Sequence, residues 1–134
     1  MTRVLVVDDS ASTRAYVRAV LKAADYEVDS AASGFEAMRL LPKGGYALLV
    51  LDVNMPEING LELIAFVRKN EHYKATPVLV ISTQAKSVDV ERALALGANG
   101  FLAKPFEPAA LVASAKDVLA QAAALRSSLR GENT

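Results

Sequence analysis

The chain has 134 residues, is 52% hydrophobic and carries no formal net charge, with 15 basic against 15 acidic residues. That is enough for one domain with a full core, and the charge balance argues against a nucleic-acid-binding surface. Cysteine is absent, which excludes a disulfide framework, a thiolate zinc site and a cysteine nucleophile.

Arg3 to Val7 is apolar and β-branched and reads as a strand buried on both faces. Met1-Thr2-Arg3 brings no apolar leader, and no apolar run nears the ~18 residues a bilayer span needs, so a soluble, cytoplasmic protein is expected. Asp8 and Asp9 follow the strand. Val17, Val20, Leu21 and Ala24 then recur at i, i+3, i+4 and i+7, the mark of a helix, with Ser10 or Ser12 as its cap. Tyr26 to Ala31 alternates and reads as an edge strand. Ser33-Gly34 opens a short helix through Leu41, ended by Pro42 and Gly44-Gly45. Tyr46 to Leu51 is the most apolar strand, hence central, and Asp52 follows it. Gly60 to Asn70 is a helix with Arg68 and Lys69 in its last turn, where cations suit the helix dipole. Pro77 to Ile81 is the fourth strand, followed by Ser82. Ser87 to Leu96 is a helix stopped by Gly97. Asn99 to Ala103 is the fifth strand, followed by Lys104, and Pro108 starts the last helix. The apolar stripe of that helix runs through Leu111, Val112, Ala115, Val118, Leu119, Ala122 and Leu125 toward Leu129. At ~1.5 Å per residue it reaches roughly 30 Å, more than a short strand needs as cover.

Strands and helices that alternate with short connections make an α/β fold, a parallel sheet sandwiched by helices with right-handed crossovers. Neither an internal repeat nor a second domain is visible. In such sheets ligands bind beyond the carboxyl ends of the strands, where strand order reverses. Asp8, Asp9, Asp52, Ser82 and Lys104 would therefore meet in one crevice. Carboxylates that close raise one another's pKa. A divalent, oxygen-liganded cation such as Mg2+ removes that cost. The set suits phosphoryl transfer: metal and lysine neutralise phosphate oxygens, and a carboxylate acts as nucleophile.

Four segments carry a resemblance: Val6-Val7-Asp8-Asp9; Leu51-Asp52-Val53-Asn54-Met55-Pro56 with Gly60; Ser82-Thr83; and Gly100-Phe101-Leu102-Ala103-Lys104-Pro105-Phe106. In that order, each at a strand end, they resemble the response regulator receiver domain of two-component systems, of the CheY-like single-domain type. The resemblance runs from about Arg3 to the last helix. It implies a flavodoxin-like three-layer sandwich whose five-stranded parallel sheet is ordered 2-1-3-4-5, with residues 1–126 as the receiver domain and 127–134 as helix end and tail. It implies that Asp52 is the phosphoacceptor, Asp9 a direct Mg2+ ligand, Asp8 a ligand through water and the Asn54 backbone carbonyl a further ligand, with the Asn54 side chain free to vary. Ser82 resembles the switch hydroxyl, Lys104 the phosphate-pairing lysine, Phe101 the aromatic switch residue, and Lys104–Pro105 the family's cis peptide. The sequence departs from the commonest pattern at Ser82 (usually threonine), Thr83 (usually a smaller residue), Gln84 (an acid in the chemotaxis type), and Phe101 and Ser10, where that type has tyrosine and an aromatic residue.

Each residue also has a plainer reading. Acids after strands often cap the next helix or stay solvated, and Ser82 alone reads as a turn hydroxyl. Phe101 alone reads as a core aromatic, and the tail leucines as a frayed helix face. His72, flanked by Glu71, Tyr73 and Lys74, reads as a surface residue rather than a ligand. Convergence of Asp8, Asp9, Asp52 and Lys104 favours the functional reading. A Mg-dependent phosphohydrolase with an aspartyl nucleophile would want an acid where Asn54 stands. A flavin or nucleotide module would want a glycine- or hydroxyl-rich loop after the first strand. A scaffold or dimerisation protein with a vestigial receiver pocket would not need all five pocket residues. The expectation is therefore a single-domain response regulator that accepts a phosphoryl group on Asp52 from a histidine kinase or phosphotransfer protein. The added charge draws Ser82 and Lys104 and changes the affinity of the helix 4–strand 5–helix 5 face for a downstream protein target. It would catalyse only its own phosphorylation and dephosphorylation, as a monomer or weak homodimer, with no nucleic-acid or membrane partner. Chemotaxis or motility signalling and a phosphorelay are the processes the resemblance leaves open.

Overall fold

The computed structural model describes residues 2–83 and 87–132, with side chains omitted at 87, 88, 126 and 129–132. Gln84 lies outside the described residues. The chain runs β1 (Arg3–Val7), α1 (Ala11–Ala23), β2 (Glu27–Ala31), α2 (Gly34–Gly44), β3 (Leu48–Asp52), α3 (Gly60–Lys69), β4 (Val78–Ser82), α4 (Ser87–Ala95), β5 (Gly100–Ala103) and α5 (Pro108–Glu132). The strands form one parallel sheet in the order β2-β1-β3-β4-β5.

The inner strands β3 and β4 are buried at every residue and β1 at all but Arg3, which is why they are continuous Val, Leu and Ile rather than alternating. Edge strands β2 and β5 are only partly covered. Successive residues serve opposite cores. Leu5, Val7, Leu49, Leu51, Val78 and Val80 face Ala37, Leu63, Ile64, Val67 and Ala93 of α2, α3 and α4. Val4, Val6, Leu48, Val50, Leu79 and Ile81 face Val17, Leu21, Leu111, Ala115 and Val118 of α1 and α5. A one-residue slip would exchange the two sets, so the register is strongly specified.

Helix starts follow local chemistry. Ser10 caps α1 by accepting from Thr13 N–H, and Ser33 caps α2 by accepting from Glu36 N–H. Asn59 and Glu62 form a reciprocal capping box at α3. The structure corrects one helix end: α2 continues past Leu41 with Pro42 inside it, and stops at Gly45 in the left-handed region at φ 61°. Proline in a last turn removes a single hydrogen bond, and the buried Leu41 and Gly44 hold that turn against the core.

Arg68, near the end of α3, ties two loops together, the one between α3 and β4 and the one between α4 and β5. Its Nε and Nη2 donate to Gly97 O at 3.2 and 2.6 Å, its Nη1 to Lys74 O at 2.9 Å and Thr76 O at 2.6 Å, and its Nη2 also to Asn99 Oδ1 at 3.0 Å. All these partners are neutral amide oxygens. Burial pulls the guanidinium pKa below its usual place.

At the sheet's lower edge a Cβ added to Gly100, the first residue of β5, would lie 2.9 Å from Val118 Cγ2 of α5. Helix α5 continues past that level. Gln121, Ala123 and Ala124 are exposed there, and Leu125 is 63% exposed. The side chain of Leu129 lies outside the described residues. Among the described residues no helix is long and apolar enough to cross a membrane.

Candidate functional site

The carboxyl ends of β1, β3, β4 and β5 deliver the chemistry. Asp8 and Asp9 follow β1, Asp52 and Ser82 are the last residues of β3 and β4, and Lys104 follows β5. Carboxylate oxygens of Asp8, Asp9 and Asp52 lie within 4.8 Å of one another. Asp8 is fully buried, Asp52 6% exposed and Ser82 1% exposed, whereas Asp9 is open to solvent. Lys104 Nζ spans the cluster, 2.7 Å from Asp8 Oδ2 and 3.3 Å from Asp52 Oδ2. Its backbone N–H donates to Ser82 O at 2.8 Å, and the Lys104–Pro105 peptide is cis.

The flanking loops fix the acids. Asp8 Oδ1 accepts from Ser10 N–H at 2.9 Å, so both its oxygens are engaged, and Arg14 Nη1 donates to the Asp8 carbonyl at 2.8 Å. Asp52 Oδ1 accepts from Asn54 N–H at 3.1 Å. The turn after Asp52 closes tightly on α3: Gly60 N–H donates to Val53 O at 2.9 Å, and a Cβ at residue 60 would stand 2.5 Å from Asp52 O. Only glycine admits that approach. The Asn54 side chain, expected to be free to vary, donates through Nδ2 to Ser82 Oγ at 3.3 Å. Phe101 is partly buried against the core beneath α2, α3 and α4. His72 is exposed, its backbone N–H bonded to Asn70 Oδ1 at 2.9 Å.

Burial pushes the Asp52 carboxyl above its ordinary pKa; the Asn54 N–H and the Lys104 charge pull it back, and the Asp8 charge pushes it up again. Lys104 responds the other way. Burial alone would lower its pKa, but the Asp8 hydrogen bond and the charges of Asp52 and Asp8 raise it overall. One lysine thus faces two buried carboxylates, with an exposed third acid at the mouth. These hard oxygen donors suit a small divalent cation, which bonds oxygen at about 2.0–2.1 Å and keeps several waters. Asp9 has the access such an ion needs, while each oxygen of Asp8 already accepts one hydrogen bond, from Ser10 N–H and from Lys104 Nζ. An open groove of about 530 Å³ adjoins the cluster, lined by Ser12, Thr13, Tyr16, Thr83, Lys104 and Phe106 among others.

Every residue expected at the crevice is brought to it. Apolar strands that end in an acid, hydroxyl or ammonium were the signal. The Asn54 amide and Arg14 were not expected there, and neither carries a sequence signal, because each depends on how a loop folds back.

The response regulator receiver domain family matches residues 4–116. The chain is similar to the chemotaxis protein CheY homolog of Campylobacter jejuni, 38% identical over 119 residues, which span 87% of this chain and 92% of that protein. It is also similar to the chemotaxis protein CheY1 of Helicobacter pylori, 38% identical over 81% of this chain and 90% of that protein. The structure of the chemotaxis protein CheY4 of Vibrio cholerae superposes with a TM-score of 0.85 at 40% identity, covering 88% of this chain and 98% of that one.

Proposed function

Because the chain belongs to the response regulator receiver domain family and is CheY-like in sequence and fold, we propose that it is a phosphoacceptor switch in two-component signalling, with Asp52 as acceptor. The carrying observation is the position of Asp52: at a strand end, held by Asn54 N–H and Lys104 Nζ, with Asp8, Asp9 and Ser82 around it. A carboxylate oxygen of Asp52 forms a bond to phosphorus while the P–N bond of a phosphohistidine donor breaks. The departing imidazole keeps the electron pair and is reprotonated from solvent. Lys104 pairs with the phosphoryl oxygens and Ser82 Oγ–H donates to one of them. Asp9, Asp52 and the Asn54 carbonyl would hold Mg2+, with Asp8 acting through water; bound there, the ion neutralises carboxylate and phosphoryl charge.

The donor is a histidine kinase or phosphotransfer protein, and the receiver unit is residues 1–126, with 127–134 as helix end and tail. The α4–β5–α5 face, where Leu94 and Leu96 are exposed and Phe101 is partly buried, binds a downstream protein. The relatives are named chemotaxis proteins, which supports a role in chemotaxis signalling; the protein acts in the cytoplasm. Catalysis is confined to the protein's own phosphorylation and dephosphorylation.

Asp52→Asn should abolish acid-stable, hydroxylamine-sensitive labelling by a small-molecule phosphodonor, since an amide is no nucleophile here. Labelling that persists at the wild-type level would move the acceptor elsewhere, with Asp8 next in line.

A further inference from the structure

Residue 54 gives the site two separate groups. Its backbone N–H, bonded to Asp52 Oδ1, follows from the path of the chain and is open to any residue but proline. Its side-chain amide, bonded to Ser82 Oγ, is specific to asparagine at this spot. That bond joins the loop after β3 to the end of β4. At its far end stands a serine, which lacks the γ-methyl that restricts χ1 in threonine. Packing therefore selects the Ser82 rotamer only weakly, and hydrogen bonds must do more of it. The amide lies exposed at the mouth while Ser82 is buried, so it reaches the hydroxyl from the solvent side without needing the interior to rearrange.

From this geometry we infer that the Asn54 side chain is a latch on the switch hydroxyl: it holds Ser82 Oγ in its unphosphorylated orientation and lets go when that hydroxyl turns to an anion on Asp52. The inference rests on the receiver reading and adds a residue that sets the bias between the two states. Asn54 is a positioning residue in this role, acting through Ser82, and its contribution to the metal site is a backbone carbonyl that side-chain truncation leaves in place. A ligand that binds the released arrangement has its affinity reduced by the fraction of protein still latched. Loosening the latch should therefore tighten binding of a phosphoryl mimic, against the usual expectation for trimming a site residue.

The test is titration of full-length protein with beryllofluoride at saturating Mg2+, read by backbone amide shifts. Wild type, Asn54→Ala, Ser82→Ala and the double variant are compared. Asn54→Ala should bind about three- to fivefold more tightly, the scale of one hydrogen bond of ordinary net strength. The gain should vanish in the Ser82→Ala background, because the latch then has nothing to hold. Unchanged or weaker binding by Asn54→Ala overturns the latch, the latter by showing that the amide contacts the anion itself. A gain that survives loss of the Ser82 hydroxyl overturns it too. Wild-type protein that does not bind the mimic, or binds it equally well after Asp52→Asn, would instead remove the receiver reading, and the latch with it.

Discussion

Tyr46 donates its hydroxyl hydrogen to Asp29 Oδ2 at 2.7 Å, while Arg3 Nη2 holds the same oxygen at 2.7 Å and the Arg3 guanidinium lies 5.2 Å from the Tyr46 ring centre. Burial, the Asp29 hydrogen bond and the Asp29 charge push the phenol up from 10.0 to about 12, against the opposing charge of Arg3. The folded protein keeps that proton where the unfolded chain loses it. The linked stability is thus complete below pH 10 and is lost as pH rises through 10 toward about 12. Tyr46→Phe should be less stable than wild type at neutral pH, and urea midpoints should show the gap closing across that alkaline window; a gap constant with pH would show that the hydroxyl is not held. Neither Tyr46–Asp29 nor Asn54–Ser82 was legible in the sequence. Each joins residues far apart in the chain and depends on a side-chain rotamer. Asp8, Asp9, Asp52, Ser82 and Lys104 were legible, because an apolar run fixes the strand and the strand end fixes the residue after it.

At the scale of elements, strands declared themselves through unbroken Val, Leu and Ile, and helices through their caps and apolar spacing. The reading failed where tertiary packing outweighed a local rule, as when the buried Leu41 and Gly44 carried α2 through Pro42. Helix α5 is the opposite case, a local pattern that outlasts its support. Val118 marks the sheet's edge against Gly100, and the exposed Gln121, Ala123, Ala124 and Leu125 follow. Truncation after Leu119 removes little buried surface and should change unfolding free energy by ~0.5 kcal/mol or less. It should weaken self-association or target binding more than it weakens phosphorylation, because an apolar stripe beyond the core is where a partner gains contact. A stability loss above about 2 kcal/mol would mean that the extension is part of the core.

In the whole molecule, a sheet with an apolar core on each face delivers four strand ends to one pocket, and Arg68 braces the opposite end of the fold. Its partners are carbonyls rather than carboxylates, so salt should barely affect it. Lysine cannot replace it, since three donors on one nitrogen do not span the oxygens that a planar five-donor fork reaches. Arg68→Lys should cost about 0.5–1.5 kcal/mol in urea unfolding, as half-buried carbonyls lose partners; no measurable loss would show that water replaces the fork. The brace also has a mechanical meaning. Gly97, just beyond α4, is gripped by two of its hydrogen bonds, which makes that point a fulcrum and α4 a lever. Nine residues of helix form an arm of about 13 Å at ~1.5 Å each, so a tilt of about 10° would swing the Ser87 end through roughly 2 Å while Gly97 stays in place. If the α4–β5–α5 face is the output surface proposed above, the stiffness of one guanidinium fork bears on how far a small rearrangement beside Ser82 is magnified into a displacement that another protein can feel.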